Sequence, residues 1–213
     1  MSHQPWSVVL GAGLMGRLLA HALAQRGHRV DVYEAQGEDA QGAAARVAAA
    51  MLAPLAESAI TEPSVVQMGE YAIPRWQSLT AALPTPVFFQ RNGTLFVWQR
   101  QDSAEARRFA QLIQRNQQRQ PSLPAPLALA ADQVGTHEPA LASRFNEALY
   151  LPGEGQLDNR QLLAALLTSL QQQGVHLHWQ SPRSPQDFTP GTAGQPDWVF
   201  DCRGLGARTQ WTQ

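Results

Sequence analysis

The stretch from Val8 to Glu34, VVLGAGLMGRLLAHALAQRGHRVDVYE, constrains the fold more than any other part of the chain. A short apolar run leads into three glycines with the spacing GxGxxG, and these are Gly11, Gly13 and Gly16. The pattern predicts a strand, a tight turn, a helix over about 14–25 and a second strand over 29–33. This order is typical of the first βαβ unit of a Rossmann-like α/β fold.

If a dinucleotide binds at this turn, each of the three positions requires glycine for a physical reason. Gly11 permits the tight exit from the strand, Gly13 lets backbone amides approach a pyrophosphate, and Gly16 lets the helix pack against the strand. The phosphates would then lie at the positive N-terminal end of the helix. Glu34, at the end of the second strand, can accept hydrogen bonds from a ribose diol and would repel a 2′-phosphate, which disfavours NADP. The motif alone leaves FAD and NAD open.

Composition narrows the class of protein. The 213 residues are 44% hydrophobic, enough for one large domain or two small ones. A net charge of -1 gives no reason to expect nucleic acid or an anionic membrane as a partner. The chain has no lysine, which excludes a Walker A loop and a Schiff-base mechanism. With one cysteine and no long apolar run, we expect a soluble cytoplasmic protein.

Three helices are predicted between the second strand and the middle of the chain. The alanine-rich segment AAARVAAAMLAP favours a helix over 43–54. A second helix over 65–83 contains Pro74, which predicts a kink or a break. A third runs from 102 to about 119 with an apolar stripe.

The remaining segments depart from a simple repeat of strand and helix. PVFFQRNGTLFVWQ, over 86–99, predicts a β-hairpin around its Asn-Gly turn and therefore an antiparallel second layer. An amphipathic helix capped by Asp158 precedes strands over 175–179 and 197–202. The last strand needs helices on both faces of its sheet, but few residues follow it. We therefore expect an N-terminal piece of a longer chain or one half of an assembly.

Three blocks of sequence together resemble the FAD-dependent oxidoreductases of the D-amino acid oxidase family, and within it the glycine oxidases of thiamine biosynthesis. The first is the Val8–Glu34 stretch with its extended GxGxxGxxxA spacing. The second is AAARVAAAMLAP, soon after the second strand. The third is EPALASRFNEALYLPGEGQLDNRQLLAALLTSLQQQGVHLHW, followed by DWVFDCRGLGA. The similarity spans nearly the whole chain.

The resemblance implies a Rossmann-like, glutathione-reductase-like FAD-binding domain with an inserted antiparallel β plus helix substrate domain. The C-terminal part of the family fold would be missing. On this basis residues 1–62 form the first part of the FAD-binding domain, 63–150 the first part of the substrate domain, and 151–213 an incomplete return to the FAD-binding domain.

The resemblance also implies the residues that contact FAD. The glycine turn would hold the pyrophosphate, Glu34 the adenosine ribose, the alanine-rich segment the pyrophosphate, ribitol and flavin, and the CRGLGA block would return to the cofactor. The implied set is Gly11, Ala12, Gly13, Leu14, Met15, Gly16, Glu34, Ala35, Ala44, Ala45, Arg46, Ala49, Ala50, Met51, Cys202, Arg203, Gly204 and Gly206. Ala50 stands where the family usually has glycine. No catalytic residue is named, because the family's substrate-gripping arginine and tyrosine lie in its C-terminal part.

The implied reaction is hydride transfer from the α-carbon of a small amino acid or amine to FAD, which gives an imine, with oxygen as the acceptor. We expect this chain alone to be inactive, and the resemblance is compatible with a homo-oligomer. Two alternatives stay open. GAGLMG also opens the NAD-dependent hydroxyacyl-CoA dehydrogenases, although these favour aspartate at Glu34 and continue into further βα units. The other is a non-catalytic dinucleotide-binding fragment that needs a partner.

Two histidines and the single cysteine are typical of functional sites, but here each has a simpler explanation. His176 and His178 lie two apart on one predicted strand face, as metal ligands can, but no third ligand is evident in the sequence nearby. Surface imidazoles are therefore the preferred interpretation, and no metal is expected. Cys202 lies beside glycines at a strand end, which favours a small buried residue near the cofactor over a nucleophile.

Overall fold

A computed structural model describes residues 3–210, which form two compact units. The first unit consists of the chain up to residue 50, residues 80–88, and the chain from residue 158 onward. The second consists of residues 51–79 and 89–157. The division predicted from the sequence, 1–62, 63–150 and 151–213, assigns functions to these parts of the chain and stays a prediction.

The described residues contain ten strands and six α-helices. In chain order, strands β1 to β10 are Trp6–Leu10, Arg29–Tyr33, Met51–Leu52, Phe89–Gln90, Thr94–Val97, Leu127–Ala130, Glu147–Leu151, Gly155–Leu157, His176–His178 and Trp198–Asp201. Helices α1 to α6 are Leu14–Gln25, Pro54–Glu57, Pro63–Ala82, Ser103–Arg119, Ala131–His137 and Asn159–Gln172. Over residues 3–210, no helix combines the length and the apolar character that crossing a membrane requires.

A four-stranded sheet forms the centre of the first unit. Its order is β10-β1-β2-β9, and all three pairings are parallel. One of its two inner strands, β1, contributes Val8, Val9 and Leu10, which are fully buried. Complete burial of an aliphatic side chain of this size contributes about 1.5–3 kcal/mol. The predicted α/β fold with a parallel sheet is confirmed.

The two long helices of the first unit begin and end at the predicted signals. α1 covers the predicted range, and Gly27 follows it with a φ of +81°. At the start of α6 the Asp158 side chain accepts hydrogen bonds from the amides of Arg160 and Gln161, each at 2.9 Å. A carboxylate there satisfies two amides that the helix itself cannot pair. Gly174, with a φ of +69°, follows α6.

The second unit contains two antiparallel sheets, β3-β8-β4 and β5-β7-β6. The predicted hairpin over 86–99 is wrong, because β4 pairs with β8 whereas β5 pairs with β7. Gly93 explains the divergence. Its φ is +81°, its amide donates to the Glu154 carbonyl at 2.9 Å, and the Tyr150 ring fills the space beside it. The Asn-Gly turn therefore directs the chain from one sheet into the other.

Of the helix predictions over residues 43–83, the first is wrong, and of the kink or break predicted at Pro74 only the break is excluded. The alanine-rich segment 43–54 is not one helix but a 3-10 turn over Ala44–Arg46 followed by β3. Tertiary contacts override the helix propensity of the alanines in this segment. α3 continues through Pro74 and is not divided by it.

Candidate functional site

The first and last glycines of the GxGxxG turn are required by the packing of the protein itself. Gly11 has a φ of +94°, and a Cβ there would lie 2.6 Å from the Cys202 carbonyl oxygen. A Cβ at Gly16 would overlap the Gly11 carbonyl oxygen. The turn is therefore pressed against β10 on one side and against α1 on the other. Side chains at these two positions would disrupt the fold before any ligand is considered.

The middle glycine is different, because the protein leaves the space beside it open. Gly13 precedes α1 with a φ of -69° and a ψ of -171°, which any residue can adopt. A Cβ at Gly13 would meet only the Cβ of Ala43, at an ordinary distance of 3.7 Å. Gly13 supplies no side-chain cap, and the first turn of α1, which includes Leu14 and the exposed Met15, contains no acid. The helix thus presents uncapped amides that can bind an anion.

Glu34 lies beside this turn because β1 and β2 are parallel neighbours, with Leu10 opposite Tyr33. One carboxylate oxygen of Glu34 accepts a hydrogen bond from the Ala12 amide at 2.7 Å. The other accepts from the Gln36 amide at 3.0 Å. The half-buried carboxylate keeps further lone pairs for a ribose diol. Ala35, which follows it, is exposed.

The alanine-rich segment is held by side chains at the start of α6. The Asn159 side-chain amide donates to the carbonyl oxygens of Ala45 and Ala48, and the Arg160 Nε donates to the Arg46 carbonyl at 3.1 Å. The Arg46 guanidinium in turn donates to the Asp39 carbonyl at 2.9 Å. These bonds explain why the segment is a turn and not the predicted helix. Ala44 and Ala49 are exposed, as expected for a surface that a ligand could cover.

Ala50 adopts a backbone conformation that suits glycine. Its φ is +55°, in the left-handed region, where a side chain costs about 1–2 kcal/mol. The conformation gives a physical reason for the glycine that the family usually has here. Met51 follows in β3 and belongs to the second unit, with 49% of its surface exposed.

Replacing Ala50 by glycine is expected to leave stability unchanged or to raise it by up to about 1 kcal/mol. Relief of the left-handed strain outweighs or balances the larger entropy of the unfolded chain. Urea unfolding measures the difference. Ala164→Gly is the matched control, since Ala164 is exposed within α6 and glycine in a helix interior costs about 1 kcal/mol. Equal losses in both variants would contradict the strain at Ala50.

The CRGLGA block begins beside the glycine turn, and its predicted contact with the cofactor stays a prediction. The Cys202 amide donates to the Leu10 carbonyl at 2.7 Å, which places Cys202 against Gly11. Burial, with the nearby charge of Asp201, raises the pKa of the Cys202 thiol, which opposes a nucleophilic role. The next residue, Arg203, donates hydrogen bonds to both carboxylate oxygens of Asp201, at 2.9 and 2.6 Å. The glycines that follow, Gly204 and Gly206, lie in a 3-10 turn over Gly204–Gln210.

The structure also assigns partners to the two histidines. The Nε2 of His178 lies 2.9 Å from a carboxylate oxygen of Asp31, and the Nδ1 of His176 lies 3.3 Å from the same oxygen. Burial raises the pKa of Asp31, but hydrogen bonds from His178 and Trp6 and the charge of Arg29 outweigh it, so the pKa is lowered. No cluster of three or more metal-ligating side chains occurs in residues 3–210. The two histidines therefore stabilise the buried Asp31 carboxylate in β2.

Arg17 is the residue at this site that the sequence analysis missed. It is only 1% exposed, and its guanidinium donates to the carbonyl oxygens of Ala12, Leu163 and Glu38 at 2.7, 2.7 and 2.6 Å. A signal existed in the sequence, because an arginine directly after the last glycine lies on the face of α1 that Gly16 and Ala20 bury.

The first unit thus brings together the glycine turn, Glu34, the alanine-rich turn and the start of the CRGLGA block. Uncapped amides and one carboxylate are the groups that bind a diphosphate and a ribose diol. Met51 is in the second unit, and its predicted place beside a flavin stays a prediction.

Comparison with known proteins gives the family. Residues 7–213 match the model of the DAO family, described as FAD dependent oxidoreductase. A thiamine biosynthesis oxidoreductase, ThiO, of Rhizobium etli is 34% identical over 201 residues, which are 92% of this chain and 53% of that protein.

Solved structures share the fold. Glycine oxidase from Bacillus cereus superimposes with a TM-score of 0.71 at 19% identity over 93% of this chain and 55% of its own. L-α-glycerophosphate oxidase from Mycoplasma pneumoniae, solved with FAD bound, gives 0.65 at 15% identity over 93% of this chain and 53% of its own. The chain thus spans about half the length of the relatives it matches. On its sequence and its fold, this chain belongs to the DAO family of FAD-dependent oxidoreductases.

Proposed function

We propose that the first unit binds the adenosine diphosphate half of FAD over the glycine turn. The observation that carries the proposal is the open space at Gly13, beside uncapped amides at the start of α1. The protein excludes a side chain at Gly11 and Gly16 for its own packing, whereas the packing of residues 3–210 leaves room for one at Gly13, so a ligand accounts for the glycine there. The residues present therefore fit the cofactor of the family.

Each group at the turn has a role in this proposal. The α1 amides face the pyrophosphate, and Glu34 accepts hydrogen bonds from the ribose hydroxyls while it also holds the Ala12 amide. The 44–50 segment and the CRGLGA block line the rest of the cofactor. When bound, FAD supplies the acceptor for the two electrons that are removed when a C–N bond is oxidised. The other residues that the resemblance implies as FAD contacts are proposed to line the same cofactor.

We further propose that the complete enzyme oxidises a small amino acid or amine, with oxygen as the acceptor. The name of the Bacillus cereus glycine oxidase supports this substrate class, and that of the Rhizobium etli relative supports an oxidoreductase. The antiparallel sheets of the second unit would belong to a substrate domain inserted into the FAD-binding domain. We assign no catalytic residue to this chain, and its match to the FAD-dependent family gives no support to the NAD-dependent alternative.

Titration of the chain with FAD, NAD and ADP tests the proposed cofactor. We expect FAD to bind most tightly, with a change in flavin fluorescence, and ADP and NAD to bind with similar, weaker affinity, because all three share the adenosine diphosphate half. Glu34→Gln should lower the affinity for FAD by about tenfold or more, because hydrogen bonds to a charged group contribute about 1.5–3 kcal/mol. Glu38→Gln is the control for net charge, since Glu38 is an exposed acid in the same loop.

Two outcomes would overturn the proposal. One is binding of NAD in preference to FAD. The other is an equal loss of affinity in the Glu34 and Glu38 variants, because the effect would then come from net charge alone.

A further inference from the structure

Arg17 is a buried cation that no carboxylate neutralises by direct contact among the described residues. Its three hydrogen bonds all go to backbone carbonyl oxygens, and its guanidinium lies 5.9 Å from the centre of the Trp179 ring. Burial lowers the pKa of Arg17, while the charges of Glu34, Glu38 and Asp39 act in the opposite direction. A guanidinium keeps its proton under such conditions. A positive charge is therefore fixed inside the first unit.

The hydrogen bonds of Arg17 converge on the glycine turn. Its Nε donates to the Ala12 carbonyl oxygen, while the amide of Ala12 donates to Glu34. Ala12 is thus held on both sides, immediately before the open position at Gly13. A second arm of the guanidinium holds the Glu38 carbonyl, in the loop that follows Glu34. The third arm holds Leu163 in α6.

This arrangement connects the three parts of the proposed nucleotide site. The turn, the loop that follows the acid at the end of β2, and the helix that supports the 44–50 segment all contact the Arg17 side chain. Burying a charge is costly unless other groups compensate it. Carbonyl dipoles and the charges of Glu34, Glu38 and Asp39 compensate part of the cost, and a diphosphate over the turn would add further negative charge.

We propose that Arg17 is a positioning residue for the adenosine diphosphate half of the cofactor. It fixes Ala12 and Glu34 in the geometry that the ligand needs, and it places a positive charge beneath the pyrophosphate. The proposal rests on the proposed binding of FAD at this turn, and it assigns the residue that prepares the site.

Arg17→Met and Arg17→Lys test the two proposed contributions of Arg17, which are its hydrogen bonds and its positive charge. Methionine removes the charge and the hydrogen bonds, whereas lysine keeps the charge but lacks the planar fork that reaches three carbonyls. We expect Arg17→Met to lower the affinity for both FAD and ADP by about tenfold or more, since several charge-assisted hydrogen bonds support the turn. Arg17→Lys should recover part of this affinity. The absorbance spectrum of FAD at saturation should stay that of the parent chain, because the flavin end is not involved.

His21→Ala is the matched control for stability. His21 lies one helical turn further along α1, is buried, and contacts Ser169 and Gln173 of the α6 region without touching the glycine turn. Thermal unfolding without ligand gives the loss of stability in each variant. If His21→Ala, at a comparable loss, reduces the affinity for ADP as much as the Arg17 variants do, Arg17 has only a structural role and the proposal fails.

The design also separates this inference from the proposed function. If the parent chain binds neither FAD nor ADP, the proposed function fails. If the parent chain binds both and Arg17→Met binds them with unchanged affinity, only the role of Arg17 fails, and unchanged affinity in Arg17→Lys overturns the part of that role assigned to the planar fork. Should Arg17→Met not fold, Arg17→Lys against His21→Ala still decides.

Discussion

Replacing Gly13 by alanine is expected to lower the affinity for FAD by about 10- to 100-fold while the chain keeps its fold. The new methyl group would lie in the open space before α1, where the nearest atom beyond the adjacent residues is the Ala43 Cβ, 3.7 Å away. The backbone of Gly13 is in an extended conformation that alanine adopts without strain. The methyl group would therefore obstruct the pyrophosphate and little else. Titration with FAD and thermal unfolding without ligand measure the two effects.

Gly16→Ala is the control, and its expected effect is opposite in kind. A methyl group at Gly16 would overlap the Gly11 carbonyl oxygen, so α1 could not pack against the turn. We expect a loss of at least about 3 kcal/mol in the free energy of unfolding, since backbone atoms cannot move aside as a flexible side chain can. If Gly13→Ala lost as much stability as Gly16→Ala, or bound FAD as the parent chain does, the open space at Gly13 would not be a ligand site.

The parts of the fold that the sequence predicted correctly depend on contacts close in the chain. The strand, turn and helix from Val8 to Glu34 follow from glycine spacing and apolar periodicity, and α6 follows from an aspartate cap and a terminal glycine. Parallel pairing of β1 and β2 then brings Glu34 to the turn without further information. These signals act within a few residues, so a sequence can display them.

The parts that the sequence did not predict depend on partners far away in the chain. The alanine-rich segment has the propensity of a helix, but Asn159, more than a hundred residues later, holds its carbonyl groups in a turn. Phe89–Gln90 and Thr94–Val97 look like one hairpin, but β7 and β8 take them into different sheets. The position of Arg17 on the buried face of α1 is visible in the sequence, but its hydrogen-bond partners Leu163 and Glu38 are not. Local propensity is a weak guide wherever tertiary contacts decide.

Replacing Glu154 by glutamine is expected to stabilise the chain by about 1–3 kcal/mol at neutral pH, and by less in acid. Glu154 is only 2% exposed, and its Oε2 has no hydrogen-bond partner within residues 3–210. Burial raises the pKa of Glu154, and hydrogen bonds from Thr94 and from the Ala56 amide reduce this effect. The folded protein therefore holds a carboxyl group whose ionised form is poorly compensated.

The sign of the pH dependence follows from the raised pKa. Below the ordinary pKa of 4.5, the group is protonated in both the folded and the unfolded chain, and it costs nothing. As the pH rises, the unfolded chain loses this proton first, so stability falls until the folded-state pKa is passed. Glutamine stays neutral throughout. The difference in unfolding free energy between Glu154→Gln and the parent chain should therefore grow as the pH rises from about 4.5 to neutral.

Urea unfolding over this pH range, with Glu147→Gln as the control for an exposed acid in β7, tests the expectation. Curves for Glu154→Gln and the parent chain that stay parallel would contradict it. Glu154→Leu separates charge from hydrogen bonding, because Oε1 of Glu154 accepts from the Ala56 amide at 2.8 Å and leucine cannot. Leucine should therefore be less stable than glutamine at every pH. A glutamate at this position thus stabilises the start of α2 through one oxygen, while the burial of its negative charge carries the cost that glutamine would remove.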